Sequence, residues 1–152
     1  MKVYVESCLN CPPDKVWDEV QKSSLFVEIL YPLTNFVSIS AETFPMKWVE
    51  GEVVKCKPIL FGIIPTLGSH TIFFERVDQG WREIQTREKN ALSHRWDHLI
   101  RVRTLPHRQT LYSDEIEIEA GLLTILVWSL ANWFYRHRQR RWKIVAQRLV
   151  AE

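Results

Sequence analysis

Alternation of apolar and polar positions opens the chain: Val3, Val5 and Ser7 alternate with Tyr4, Glu6 and Cys8, the period-two signature of a strand. Pro12-Pro13-Asp14 then predicts a helix start, because proline is tolerated in a first turn and an acidic residue suits the positive N-terminal end. Val16, Trp17 and Val20 form its apolar stripe. A second short helix is expected from about Ser24 to Leu30, ending before Pro32, since the residue ahead of proline is pushed away from helical angles. From Phe36 onward the pattern turns strand-like, with Val37, Ile39 and Ala41 alternating with polar neighbours. Further strands are predicted over Trp48 to Lys57, Ser69 to Val77, Trp81 to Arg87, His94 to Thr104 and Gln109 to Ile118. One long helix follows from about Leu122.

Strands joined by short turns make an antiparallel meander, and such a sheet needs one face covered. The terminal helix is the element long enough to cover it. A curved sheet gripping a helix leaves a pocket between the two. The expected fold is therefore α+β, one domain over 1–152, with about six or seven antiparallel strands wrapped on a long C-terminal helix and two short helices after the first strand.

The segment from Pro58 to Gly68 breaks the pattern. It is strongly apolar, yet its two prolines and two glycines mark it as a loop. An apolar loop packs either on the core or at the lip of a cavity, where Phe61 and Ile63 would contact a ligand.

Composition narrows the function without naming it. Hydrophobic residues make up 46% and charged residues 25%, as in ordinary globular proteins. Seven Trp and seven Phe give an aromatic interior, which either fills a core or lines a cavity. A net charge of +2 gives no reason to expect nucleic acid. Met1 to Glu6 lacks the apolar stretch of a signal peptide, so a cytoplasmic location is the expectation. The uncharged run from Ala120 to Tyr135 would rise about 24 Å as a helix, short of a hydrocarbon core of about 30 Å. Cys8, Cys11 and Cys56 are read as reduced thiols. The Cys8-x-x-Cys11 spacing is half a zinc site or a redox pair, but a zinc site needs two more ligands, for which only Cys56 or a distant His is at hand, and no βαβ context accompanies a redox pair, so neither metal nor cofactor is expected.

Candidate chemistry lies on the last two strands. Residues two apart share a face, so His94, Trp96, His98, Ile100 and Val102 point one way, and Tyr112, Asp114, Ile116 and Ile118 do the same on the next strand. Arg95, Asp97, Leu99, Arg101 and Arg103 take the opposite, solvent-facing side, as do Ser113, Glu115, Glu117 and Glu119. With a three-residue turn near Pro106 or His107 the inner faces align, and His98 falls opposite or diagonal to Asp114. Trp96, His98, Tyr112 and Asp114 then occupy the concave side. They form either a self-satisfied buried polar knot or the polar anchors of an apolar pocket. A His98–Asp114 pair could also serve as a general base, although no nucleophile or cofactor loop accompanies it.

The terminal helix has two chemical halves. Leu122 to Phe134 is apolar nearly all round, as for a segment packed on sheet and loops, with Ser129 and Trp133, four apart, as further ligand contacts. Arg136, Arg138, Arg140, Arg141 and Lys143 follow. This basic run either solvates one face or meets an acidic membrane surface or other polyanion.

The element order resembles the SRPBCC or START-like superfamily, the helix-grip fold shared with the birch pollen allergen and polyketide cyclases. The likeness extends along the whole chain. At residue level it is carried by Trp96-x-His98, Thr110-x-Tyr112-x-Asp114-x-Ile116, Ala120-Gly121-x-Leu123, Phe134-Tyr135-Arg136-x-Arg138, and Phe61-Gly62-Ile63-Ile64-Pro65 with Gly68-x-His70. The small stand-alone bacterial branch is the most similar. Ala120-Gly121 departs from the Pro-Phe-Gly found there in many relatives. The resemblance implies a deep apolar cavity for a small hydrophobic or amphipathic ligand, such as a lipid, polyketide or quinone. The residues themselves leave two alternatives beside it: a cyclase or dehydratase with His98 as base and Asp114 orienting it, to which the resemblance carries over no catalytic role, and a partner- or membrane-surface module using the basic helix.

Overall fold

The computed structural model describes residues 1–39, 44–66 and 68–151. Ala41 and Leu67, both assigned above, lie outside them. The chain runs β1 (Lys2–Leu9), α1 (Pro13–Val20), α2 (Ser23–Leu30), β2 (Thr34–Ser38), β3 (Val53–Leu60), β4 (Ile64–Pro65), β5 (His70–Asp78), β6 (Glu83–Lys89), β7 (Arg95–Leu105), β8 (Gln109–Glu119) and α3 (Thr124–Ala151). The strands form one antiparallel sheet in the order β1-β8-β7-β6-β5-β3-β2, with β4 added to β3. That is eight strands rather than six or seven. The additional one is the two-residue β4, too short to leave a periodic signal.

Two assignments shift. The third strand begins at Val53 rather than Trp48 and continues through Pro58 to Leu60. Pro58 is tolerated because the β5 ladder stops at Cys56 and the β4 ladder starts at Ile59, leaving the proline in the gap between them. Trp48 sits instead in the preceding connection, stacked on Phe74 with ring centroids 4.6 Å apart. The apolar loop is thus mostly a hairpin, and only Phe61–Ile63 form its turn. Phe61 and Gly62 both have positive φ there (52° and 71°), a conformation glycine adopts freely and phenylalanine does not.

A three-residue 3-10 turn, Pro106–Arg108, joins β7 to β8 and sets their register. His98 pairs with Ile116, Ile100 with Asp114 and Val102 with Tyr112, so His98 is diagonal to Asp114. Gly121, at φ 56°, turns the chain from β8 into a 3-10 turn and α3.

Helix α3 lies mainly along β1 and β8 rather than across the middle of the sheet. Trp128 Nε1 donates to the Lys2 carbonyl at 2.7 Å. Val127, Ala131 and Tyr135 pack on Val3, Ile116 and Ile118 to form one core cluster. A larger cluster gathers Trp142, Val145 and Leu149 with α1, α2 and the lower sheet. Lys15 Nζ donates to the Leu149 carbonyl at 2.5 Å, satisfying one open acceptor at the end of α3. The aromatic inventory divides accordingly. Phe26, Phe36, Trp48 and Phe74 fill the space under α2, and Tyr112 and Trp142 fill that under lower α3. Neither group fills the space between α3 and the β2–β3 side of the sheet.

The N-terminal half of α3 differs from the sequence expectation. Ile125, Leu126, Leu130 and Trp133, and Leu122 and Leu123 in the turn before it, are exposed instead of packed. Because α3 follows one edge of the sheet, only one stripe of this half meets the sheet, and its apolar remainder faces outward.

Candidate functional site

A cavity of about 550 Å³ occupies the unfilled space. Its walls come from α2 (Phe26, Leu30), the β2–β3 edge (Phe36, Leu60) and the start of β7 (Trp96). Val127, Leu130, Ala131, Phe134 and Tyr135 of α3 complete it. These side chains are largely apolar, and the volume lies in the range of ordinary small-molecule sites. Its exposed lining residues Phe61, Leu92, Leu130 and Trp133, with half-buried Leu33, mark the mouth.

The floor is charged. His70, Glu88, His98 and Arg138 all border the cavity, and all four are buried. His70 is on β5 and Glu88 on β6, where Ile72 pairs with Glu88. His70 Nε2 lies 2.7 Å from Glu88 Oε2, and Thr86 Oγ1 donates to Glu88 Oε1 at 2.6 Å. His98 Nδ1 approaches the same Oε1 at 3.7 Å, and His98 Nε2 lies 2.8 Å from Asp114 Oδ1. Asp114 is the hub behind the floor. Its Oδ1 accepts from the Tyr112 hydroxyl at 3.0 Å, its Oδ2 accepts from Gln139 Nε2 at 2.8 Å, and Arg138 Nε is 3.5 Å away. Arg138 Nη2 donates to the Tyr112 oxygen at 2.9 Å. Above His98, the Tyr135 oxygen lies 3.5 Å from Nδ1 and accepts from Trp96 Nε1 at 3.2 Å.

Electrostatics follow from this geometry. Burial alone would push the Asp114 carboxyl up, but Arg138 and the hydrogen bonds from His98 and Tyr112 hold it below its ordinary value. Glu88 is likewise held well below the carboxylate range, burial being outweighed by His70 and His98. Burial would lower His98, yet Asp114 and Glu88 raise it. Burial pushes the Tyr112 and Tyr135 hydroxyls up, so both stay neutral donors and acceptors. The floor therefore sets the Glu88 carboxylate and the Arg138 guanidinium around His98, with the Asp114 carboxylate directly behind it.

The sequence candidates distribute as follows. Trp96 and His98 line the cavity, and Phe61 and Trp133 frame its mouth. Tyr112 and Asp114 do not reach it. Both are fully buried behind the floor, where they fix His98 and Arg138. Ile63, 78% exposed, points away from the cavity at the tip of the turn. Ser129 is exposed and donates to its own helix, at Ile125 O, being on the outer side of α3. His94 is exposed beyond the start of β7, and Ser113, expected outward, is buried. Arg138 is not part of a surface patch: its position continues the buried stripe of α3 into the floor. Arg141 is half-buried, leaving Arg136, Arg140 and Lys143 exposed. Cys8 is exposed and Cys11 buried, both free. Among the described residues no group of three His, Cys, Asp or Glu is placed to hold a metal ion.

Sequence reasoning missed His70, Glu88 and Tyr135 as floor residues. Alternation put His70 on a strand but ended the next strand at Arg87, one residue short of Glu88, and pairing the two requires the β5–β6 register, which a bulge between Phe74 and Arg76 shifts. Tyr135 carried a signal: it lies four residues from Ala131 and seven from Trp142 on one helical stripe.

An open antiparallel sheet curled about a C-terminal helix, with an apolar cavity between them, is a helix-grip fold. The chain belongs to the family described as "Domain of unknown function (DUF8410)", which matches residues 7–145. No curated protein matches the sequence. Similar solved structures include a START superfamily protein from Mycobacterium smegmatis, with a TM-score of 0.71 and 10% identity over 97% of this chain and 98% of that one. The Zhui aromatase/cyclase from Streptomyces sp. R1128 has a TM-score of 0.68 and 12% identity, covering 99% and 95%. An AHSA1-like protein from Aeromonas hydrophila has a TM-score of 0.66 and 12% identity, covering 98% and 95%. These likenesses establish the fold.

Proposed function

We propose that the protein binds a small hydrophobic or amphipathic molecule in the cavity between the sheet and α3. The observation that carries this is an apolar cavity of about 550 Å³ with a buried charged floor. An apolar body desolvated against Phe36, Leu60, Val127 and Phe134 would gain roughly 25 cal/mol per Å² buried. One polar end would meet His70, His98, Tyr135 and Arg138, whose fixed positions set its orientation. Trp96, Phe61 and Trp133 contact the ligand in this reading, while Tyr112 and Asp114 act from behind the floor. The fold that the protein shares with an aromatase/cyclase and a START superfamily protein supports this reading.

The reading in which His98 is a general base meets a specific obstacle. A base must present a free nitrogen to its substrate, and both His98 nitrogens already face buried partners: Asp114 lies 2.8 Å from Nε2, and the Tyr135 oxygen and Glu88 lie 3.5 and 3.7 Å from Nδ1. Binding is favoured over turnover on that ground.

The test is to fill the cavity. Leu33→Trp and Ala131→Phe each add bulk to its walls from different elements. Uptake of N-phenyl-1-naphthylamine, a neutral apolar fluorophore, is expected in the wild type. It should weaken at least about tenfold in both variants, a difference of about 1.4 kcal/mol. Equal uptake by wild type and two folded variants would place the probe elsewhere and refute the reading.

A further inference from the structure

The surface around the cavity mouth is apolar where surfaces are normally polar. On the 3-10 turn before α3 and on α3 itself, Leu122, Ile125, Leu126, Leu130 and Trp133 are exposed at three- and four-residue spacing, which puts them on one outer side. Across the mouth the β3–β4 turn adds exposed Phe61, Ile63 and Ile64. Leu60, Phe61, Leu130 and Trp133 all border the cavity, joining the two groups into one rim. Scattered exposed hydrophobics are ordinary, but a grouped set rimmed by polar residues marks an interaction site.

The next turns of the same outer side of α3 carry Arg136, Arg140 and Lys143, all exposed. Helix α3 contains no Asp or Glu from Thr124 to Ala151. Among the described residues these three cations have no hydrogen bond or ion pair, unlike Arg138 in the floor and Arg148, which pairs with Glu28. One helix side is thus apolar and then cationic, with no neutralising charge of its own.

We propose that this side of α3, with the β3–β4 turn, docks on a bilayer surface rich in acidic lipids. The apolar rim enters the headgroup–acyl boundary, and Arg136, Arg140 and Lys143 meet anionic headgroups along the interface. Trp133 stands between the two zones, where its ring suits the boundary. The cavity mouth then opens onto the acyl layer, so a hydrophobic occupant exchanges without crossing water. A second copy fits the same face poorly. Parallel pairing of the two α3 helices sets the cations against their own copies, and antiparallel pairing lays the apolar half on the cationic half.

Docking does not depend on what the cavity holds, and the two are separable, because Leu122, Ile125 and Leu126 do not line the cavity. The experiment is co-sedimentation with vesicles of phosphatidylcholine plus phosphatidylglycerol and of phosphatidylcholine alone. The full chain should pellet with the acidic vesicles and lose about fivefold in partitioning for each of Arg136→Gln, Arg140→Gln and Lys143→Gln. The combined Leu122→Ser, Ile125→Ser, Leu126→Ser variant should stay in the supernatant while still taking up the naphthylamine probe. Absence of wild-type pelleting, or equal pelleting with both vesicle types, would overturn the proposal. So would a dimer, seen by sedimentation velocity, that the same serine substitutions dissolve.

Discussion

At the residue scale, Asp114 decides how the floor is built. It is wholly buried and ionised, and it draws His98, Tyr112, Gln139 and Arg138 to itself. Replacing Asp114 by Ala leaves Arg138 and His98 buried without their counter-charge, so a loss of about 3–5 kcal/mol is expected in urea unfolding. The floor also shapes the pH dependence of stability. His98 has a raised folded pKa, so its contribution is complete below its unfolded value of about 6.5 and disappears as pH rises through the folded value. Asp114 and Glu88 are depressed, so theirs is present above about pH 4–4.5 and disappears as pH falls through their folded values. Maximum stability is therefore expected between about pH 5 and 6.5. The decline on the alkaline side should flatten in His98→Gln. An unchanged alkaline limb in that variant would show that His98 is not the group responsible.

At the element scale, α3 is one helix performing three tasks along its length. Its lower half seals the core through Trp142, fully buried against Tyr112 with ring centroids 4.7 Å apart. Its middle delivers Tyr135 and Arg138 to the cavity. Its upper half presents an exposed apolar side. Thermal unfolding should separate them: Trp142→Ala is expected to cost about 3–5 kcal/mol, and Leu126→Ala to stay within about 0.5 kcal/mol. This division also explains what could be read from the sequence. The stripe through Val145, Leu149 and Arg138 follows from 3.6-residue spacing alone, and the register of β7 and β8 follows from a three-residue connection. What could not be read is how much of an all-round apolar segment is covered. That depends on where α3 lies against the sheet, a tertiary fact that leaves no trace in local spacing. For the same reason Ser129 looked as well placed as Trp133, and Arg138 as free as Arg140.

At the scale of the whole molecule, element order sufficed for the helix grip, because a meander with a single long helix has few other ways to cover one face. The cavity was less legible. Fourteen Trp and Phe residues could have filled the interior, counted as seven of each. They leave the volume empty because the Phe26–Trp48–Phe74 and Tyr112–Trp142 groups pack under α2 and lower α3, beside the cavity rather than across it. A volume of this size with apolar walls suits a small hydrophobic ligand. The most direct test is a native mass spectrum of the gently purified protein beside a denatured one. A discrete extra mass that vanishes on denaturation is the predicted result, and it would give the ligand's mass. A bare protein, in preparations from every host tried, would contradict the account that the cavity exists to hold a molecule.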